Sequence, residues 1–269
     1  MITGMLCFSA PWVARAAAAA EAAAQAAGSL LRRHAGRPAR VGTKQHAVDL
    51  VTNVDREAER VIRRRLLRAF PSVGFLGEEH GARGTTDARW IVDPIDGTMN
   101  FVHGVPIFAV SIGLEVAGRM VVGAIYDPMR EEMFTAVHGR GARLNGRRMR
   151  VSQTSALSDS LLSTGFNAAF RRNHQPYLRW FTALESRSHA VRRIGSTCIC
   201  LAYIASGRLD GFYEQDLKPW DIAAGLLLVE EAGGRLSTLT GAPARVDDGR
   251  LLATNGRIHQ AILRVLTSR

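Results

Sequence analysis

The stretch Trp90-Ile91-Val92-Asp93-Pro94-Ile95-Asp96-Gly97-Thr98-Met99-Asn100 runs from apolar residues into two aspartates three positions apart, followed at once by a glycine and a hydroxyl. A short apolar run bounded by Pro and Gly reads as a buried strand that empties into a turn. Pro94 removes a backbone donor and stiffens that turn, while Gly97 lets the backbone approach whatever the carboxylates hold. Two carboxylates at the mouth of a buried strand repel each other unless a cation lies between them. Hard oxygen donors of this kind suit Mg2+ or Mn2+ rather than zinc. The same residues also read as an Asp-Pro turn followed by an Asp-Gly turn, both common in loops, so this segment alone leaves the two readings open.

Around it lies a chain of 269 residues, 46% hydrophobic and 22% charged, a composition that fits an ordinary globular protein with a substantial core. Cys7, Cys198 and Cys200 make no disulfide framework and fit a reducing, cytoplasmic compartment. Cys198 and Cys200 sit in an apolar segment and read as core packing. The formal net charge of +11 favours anionic partners, with clusters at Arg63-Arg64-Arg65, Arg147-Arg148 and Arg192-Arg193. Aromatics are sparse and not interleaved with these clusters, so a nucleic-acid groove is not indicated. A solvated basic surface that also attracts a phosphorylated substrate is the expectation. The alanine-rich stretch from Met1 to Ala27 is interrupted by Arg15 and Glu21 and reads as a helix, not a signal peptide. No run approaches the ~20 apolar residues of a membrane span.

The pattern predicts a first helix from Pro11 to His34 and a second from Arg56 to Phe70, with Ala58, Val61, Ile62, Leu66 and Ala69 on its apolar face. Val73 to Leu76 reads as a strand ending at Gly77-Glu78-Glu79. Ile107 to Val116 and Met120 to Tyr126 read as a hairpin about Ala117-Gly118-Arg119, continued by Glu132 to Val137 and Ala142 to Asn145. The glycine-rich basic segment from Gly139 to Arg150 is the candidate seam between halves. Beyond it, strands are expected at Ser160 to Ser163, Val191 to Ile194, Leu209 to Glu214 and Gly234 to Leu239. Helices are expected at Ser196 to Ala205, from Asp221 to the glycine stop at Gly233-Gly234, and at Ile258 to Leu266. The fold class is α/β with mixed, largely antiparallel sheets.

Carboxylates recur at strand ends and helix starts: Asp55, Glu78, Glu79, Asp93, Asp96 and Asp221. Asp55 and Asp221 also read as helix N-caps, which for Asp55 taken alone is the favoured reading, and Glu78 and Glu79 as solvated loop charges. Asp221 is the hardest to place as a plain cap, because Trp220 and Ile222-Ala223-Ala224 surround it with apolar packing in which an unpaired charge is costly.

Together these elements resemble the inositol monophosphatase family of Mg2+-dependent, lithium-sensitive phosphatases. One signature is Trp90-Ile91-Val92-Asp93-Pro94-Ile95-Asp96-Gly97-Thr98. The other is Trp220-Asp221-Ile222-Ala223-Ala224-Gly225, ending in Glu231-Ala232-Gly233-Gly234. Gly77-Glu78-Glu79 and Asp49-Leu50-Val51-Thr52-Asn53-Val54-Asp55 fall in family order and spacing. The likeness runs from about Ala14 to the C-terminus. Tyr126-Asp127-Pro128-Met129-Arg130 and Leu144-Asn145-Gly146 resemble the bacterial branch that includes the extragenic suppressor SuhB.

The resemblance implies a sugar-phosphatase-like αβαβα layering, with residues 1–146 as an N-terminal half carrying the metal-binding loop and 147–269 completing one continuous unit. It implies that Glu78, Asp93 and the Ile95 carbonyl hold a first Mg2+, that Asp93, Asp96 and Asp221 hold a second, and that a third, weaker ion lies near Glu78 and Asp93. Mn2+ is a possible substitute and Li+ an inhibitor. Ile95, Asp96, Gly97 and Thr98 would meet the phosphate, and Gly195, Ser196, Thr197, Glu214 and Asp221 the alcohol part. Asp55 and Glu79 would support the site from behind. Glu78, Thr98 and Asp93 would carry catalysis. The expected activity is hydrolysis of inositol 1-phosphate to inositol and phosphate by metal-activated water. Histidinol-phosphate, fructose-1,6-bisphosphate and 3′-phosphoadenosine nucleotide phosphatases are alternatives in the same class. An interaction role in transcription and ribosomal RNA maturation is the alternative from another class. The resemblance also implies a homodimer, and the lack of a long apolar run argues against a membrane partner. Met99 departs from the small polar residue more usual beside the phosphate loop, and Cys198 and Cys200 are less usual in theirs.

Overall fold

The computed structural model describes residues 9–36, 41–43, 50–84, 87–166, 168–171 and 173–268; Cys7 and Asp49, used in the sequence reading, lie outside them. Helix α1 (Ala10–His34) starts where the Ser9 hydroxyl accepts the Trp12 N–H. Pro11 occupies its first turn, and Arg32, Arg33 and His34 sit in its last, where cations suit the helix dipole. Strands β1 (Val41–Thr43) and β2 (Leu50–Thr52) form a small antiparallel ribbon that runs directly into α2 (Asn53–Ala69). Thr52 caps α2, so the helix begins three residues before the predicted Arg56 and Asp55 lies inside its first turn. At the other end Ala69 is exposed and Phe70 takes the buried place expected of it.

Eight strands follow in one sheet: β3 (Gly74–Gly77), β4 (Gly81–Arg83), β5 (Ala88–Asp96), β6 (Ala109–Val116), β7 (Arg119–Asp127), β8 (Glu132–Val137), β9 (Ala142–Leu144) and β10 (Arg147–Arg148). Their order is β10-β9-β8-β7-β6-β5-β3-β4, antiparallel except for the β3–β5 pair. The predicted β6–β7 hairpin turns on Ala117 and Gly118, both at positive φ, as a two-residue turn requires. A single short helix, α3 (Thr98–Val102), leaves the end of β5.

A second sheet has five strands: β11 (Leu161–Thr164), β12 (Ala190–Arg192), β13 (Gly211–Gln215), β14 (Arg235–Ser237) and β15 (Arg250–Thr254), in the order β12-β11-β13-β15-β14. It is mixed, with β11 parallel to both its neighbours. The helices of this region are α4 (Gln175–Glu185), α5 (Thr197–Ala205), α6 (Pro219–Glu231) and α7 (His259–Thr267). The sequence reading missed β15 and α4. Leu251-Leu252-Ala253 buries both faces and shows no alternation, and α4 buries only Tyr177 and Leu184, too few for a clear stripe.

Three separate cores define five layers. The first joins α1 and α2 to one face of the large sheet through residues such as Ala20, Ile62, Trp90, Val92 and Ile112. The second places α5 and α6 between the sheets, with Ile91 and Phe134 on one side and Phe212 and Leu251 on the other. The third packs α4 and α7 outside the small sheet against Leu162, Tyr213 and Leu252. Strand alternation makes the division: Trp90 and Val92 point one way and Ile91 the other. Helix α6 is apolar all round because it is covered on both sides. The architecture is αβαβα, an α/β layered fold with two sheets.

Candidate active site

The site gathers where β5 ends. In a regular strand Asp93 and Asp96, three residues apart, would point to opposite faces. The register shows otherwise: Asp93 pairs with Ser111 and Asp96 with Ala109, so three steps on β5 answer two on β6. This bulge inserts one residue at Pro94-Ile95, where Pro94 has no N–H to lose from the ladder. It brings both carboxylates to one region, and the Ile95 N–H donates to Asp93 Oδ1 at 3.0 Å. Gly97 then turns the chain at φ 94°, and a Cβ there would fall 3.0 Å from the Ile107 carbonyl. Only glycine satisfies both conditions.

Three of the acids, Asp96, Asp221 and Asp55, are held by helix starts. Asp96, almost fully buried, receives the Thr197 N–H at 3.2 Å, the Cys198 N–H at 2.8 Å and the Ser196 hydroxyl, all at the N-terminus of α5. The Ser196 hydroxyl also accepts the Ile199 N–H, so Ser196 is the cap of α5. Asp221 is the third residue of α6, not its first, and accepts the Lys218 N–H at 2.7 Å. Asp55 holds the same position in α2, accepting from the Thr52 N–H at 2.8 Å and the Thr52 hydroxyl at 2.5 Å. It lies 3.3 Å from the Thr98 hydroxyl, which donates to the Ile95 carbonyl at 2.9 Å.

These acids press on one another. Burial pushes the Asp93 carboxyl well above the usual range, and Glu78, Asp96 and Asp221 push it further, Glu78 also by a direct hydrogen bond. Burial raises Asp96, opposed by the Ser196, Cys198 and Thr197 donors. Asp221 keeps some solvent contact but is enclosed on its other sides. It is pushed up to about 8 by burial and, beyond the Lys218 N–H that opposes this, by Glu78 and Asp96. Glu214 on β13 is buried and likewise raised, first by burial and then by Asp221 and Asp96, with Arg193 and the Thr197 side chain opposing. Burial lifts the Cys198 thiol as well, and its Sγ donates to the Asp221 carbonyl at 3.2 Å.

Beside the acids opens a cavity of about 540 Å³, lined among others by Asp96, Met99, Phe166, Arg193, Gly195, Ser196, Thr197 and Glu214. Thus Glu78, Asp93, Asp96 and Asp221 form one electrostatic group, Ile95 and Thr98 adjoin it, and Gly195 to Thr197 and Glu214 border the open side. Glu79 Oε2 lies 4.0 Å from Arg56 Nε. Among the described residues, no three His, Cys, Asp or Glu side chains stand in ready ligand geometry; Glu78 bonds to Asp93, and Asp96 and Asp221 accept from backbone N–H groups.

Two residues escaped the sequence reading. Asn100 donates to the Ile107 carbonyl at 2.8 Å and the Ile194 carbonyl at 3.0 Å, tying α3 to the Gly195 loop. Glu59 is fully buried on α2 and accepts from the turn that carries Glu78. Its signal was present: Asp55 and Glu59 fall on the same helical stripe as Ala58, Ile62 and Leu66, an unusual place for two acids.

Comparison with known proteins agrees with this architecture. Residues 12–269 match the inositol monophosphatase family. The chain is 46% identical over 220 residues to the inositol-1-monophosphatase of Rhizobium meliloti (strain 1021), covering 81% of this chain and 83% of that protein. It is 44% identical over 250 residues to the Nus factor SuhB of Pseudomonas aeruginosa, covering 90% of this chain and 92% of that protein. The solved inositol monophosphatase of Anabaena (Nostoc) sp. PCC 7120 superposes with a TM-score of 0.85 at 40% identity, over 93% of this chain and 94% of that one. The chain belongs to the inositol monophosphatase family.

Proposed function

We propose that this chain is a Mg2+-dependent phosphomonoesterase that hydrolyses inositol 1-phosphate to inositol and phosphate. The observation that carries the reading is the state of Asp93: buried, and acted on by three further acids, Glu78, Asp96 and Asp221. Such a group favours either shared protons or a divalent cation, and an all-oxygen donor set fits Mg2+ or Mn2+. Glu78, Asp93, the Ile95 carbonyl, Asp96 and Asp221 would hold the ions. Bound there, Mg2+ would neutralise the phosphoryl charge and lower the pKa of water towards neutrality.

The chain's own groups do the remainder. Thr98, whose hydroxyl sits between the Ile95 carbonyl and Asp55, and Glu78 orient the attacking water. Gly97 and Thr98 present backbone N–H groups to the phosphate at the start of α3. Glu214 and the Gly195-Ser196-Thr197 segment, on the wall of the cavity, accept and donate to the hydroxyls of the alcohol. Residues 1–146 and 147–269 each supply part of this site. The buried free thiols of Cys198 and Cys200 support a reducing, cytoplasmic setting, and no helix among the described residues is long and apolar enough to cross a membrane. A homodimer belongs to the reading by family likeness alone.

Phosphate release from inositol 1-phosphate, histidinol phosphate, fructose 1,6-bisphosphate and adenosine 3′,5′-bisphosphate, assayed side by side with and without Mg2+, tests the proposal. Preference for the first, abolished by chelation and inhibited by Li+, is expected. Preference for another substrate moves the assignment within the class, and release indifferent to chelation refutes it.

The likeness to the Nus factor SuhB of Pseudomonas aeruginosa favours a second reading, an interaction role in transcription. An Asp93→Asn variant separates the two. If it loses phosphatase activity yet still performs the cellular role in a deletion strain, the interaction is the function under selection.

A further inference from the structure

We propose that Glu59 is a positioning residue for Glu78, holding the carboxylate in register with Asp93. The inference rests on the metal-site reading above and deepens it. Glu59 has no solvent exposure, and a carboxylate in that position requires several donors. It finds them in one place: the Glu79 N–H at 2.7 Å on Oε2, and the His80 N–H at 3.1 Å and His80 Nδ1 at 2.7 Å on Oε1. These donors belong to the two residues after Glu78. The Glu78 N–H is itself given to the Val92 carbonyl at 3.3 Å.

The three-residue turn between β3 and β4 is therefore tied by consecutive N–H groups, one to β5 and the next two to α2. That fixes the backbone at Glu78 and sends its side chain to Asp93, the residue after Val92. A turn of this length between paired strands closes without any buried acid, and here Gly77 and Gly81 already pair across it. The added charge of Glu59 acts instead on where the turn stands. Gly77 makes room for it, since a Cβ at Gly77 would fall 2.5 Å from the Glu59 carboxylate. One turn of α2 earlier, Asp55 reaches Thr98. Helix α2 thus braces both segments that carry the site, through two acids on its core-facing stripe.

The test is Mn2+ binding by calorimetric titration of the whole chain stripped of divalent ions, with the Mg2+ dependence of phosphate release as a second readout. Glu59→Gln keeps size but turns an NH2 towards the turn. It is expected to weaken Mn2+ binding about ten- to a hundredfold, the usual cost of removing an outer partner of a metal ligand. The Mg2+ concentration for half activity should rise in step, while KM for substrate at saturating Mg2+ stays unchanged. Gly77→Ala, which alters no charge, should act in the same direction. Should Glu59→Gln not fold, Glu59→Asp supplies the readout, because it keeps the charge and withdraws the reach. Folded variants that bind Mn2+ as the unaltered chain does would overturn the positioning role alone, provided Asp93→Asn loses the ion. An unaltered chain that takes up no Mn2+ would overturn the underlying metal reading.

Discussion

The first turns of α2 and α6 are built alike and placed differently. Each carries an aspartate at the third helical position whose carboxylate accepts the N–H of the residue before the helix, Thr52 for Asp55 and Lys218 for Asp221. Around Asp55 the described residues include two further donors, the hydroxyls of Thr52 and Thr98. Around Asp221 the Lys218 charge is outweighed by burial and by two acids, Glu78 and Asp96, and its carboxyl is pushed up to about 8, burial being the largest cause. A local motif can therefore mean a cap supported by donors in one place and a charge crowded by other acids in another, and only the tertiary neighbours decide which.

The largest test of that contrast is activity. Asp93→Asn and Asp221→Asn should each lower Mg2+-dependent phosphate release by at least about a hundredfold, the upper end of what even outer partners of metal ligands cost. Asp55→Asn should leave more activity than either. Equal losses at Asp55 and Asp221 would erase the distinction.

Stability should move the other way. Asp55→Ala removes an N-terminal box worth about 1 kcal/mol and strips partners from buried donors, at about 1–3 kcal/mol more. Urea unfolding of the metal-free protein should show that loss. Asp221→Asn should be neutral or stabilising in the same assay, because it removes a charge from a crowd of like charges. A large destabilisation by Asp221→Asn would make it a structural cap.

Acidity gives a smaller and sharper comparison. A carboxyl whose folded pKa is raised from 3.8 to about 8 contributes most to stability below pH 4, and that contribution is lost as pH rises through 8. In thermal melts of the metal-free chain, the advantage of Asp221→Asn over the unaltered protein should grow across this window and shrink when Mg2+ is added. His259, in the outermost layer between the Ser237 and Thr254 hydroxyls, has the opposite sign. Its pKa is lowered from 6.5 to about 4, chiefly by burial, so its contribution is present above pH 6.5 and lost as pH falls through 4. His259→Gln should blunt acid destabilisation slightly and leave metal dependence untouched.

What the sequence made legible follows the range of the interactions. Asp93 and Asp96 stand out because strand, proline and glycine are adjacent, and Asp221 because its helix is apolar on every side. Ser196 is readable as a cap from its place before an apolar run. Asp55 and Asp221 were assigned to helix starts two or three residues late, since Thr52 and Pro219 already belong to those turns. Glu59 shows locally only as an acid on the apolar stripe of α2; its partners lie about twenty residues away, so its role depends on the tertiary fold. Strand β15 and helix α4 were missed because one buries both faces and the other almost none.

The most direct measurement is anomalous diffraction from crystals of the chain soaked in Mn2+. Peaks among Glu78, Asp93, Asp96 and Asp221, within coordination distance of their carboxylate oxygens, are the predicted result. Peaks elsewhere, or none while the four side chains remain bound to each other and to backbone N–H groups, would contradict the account.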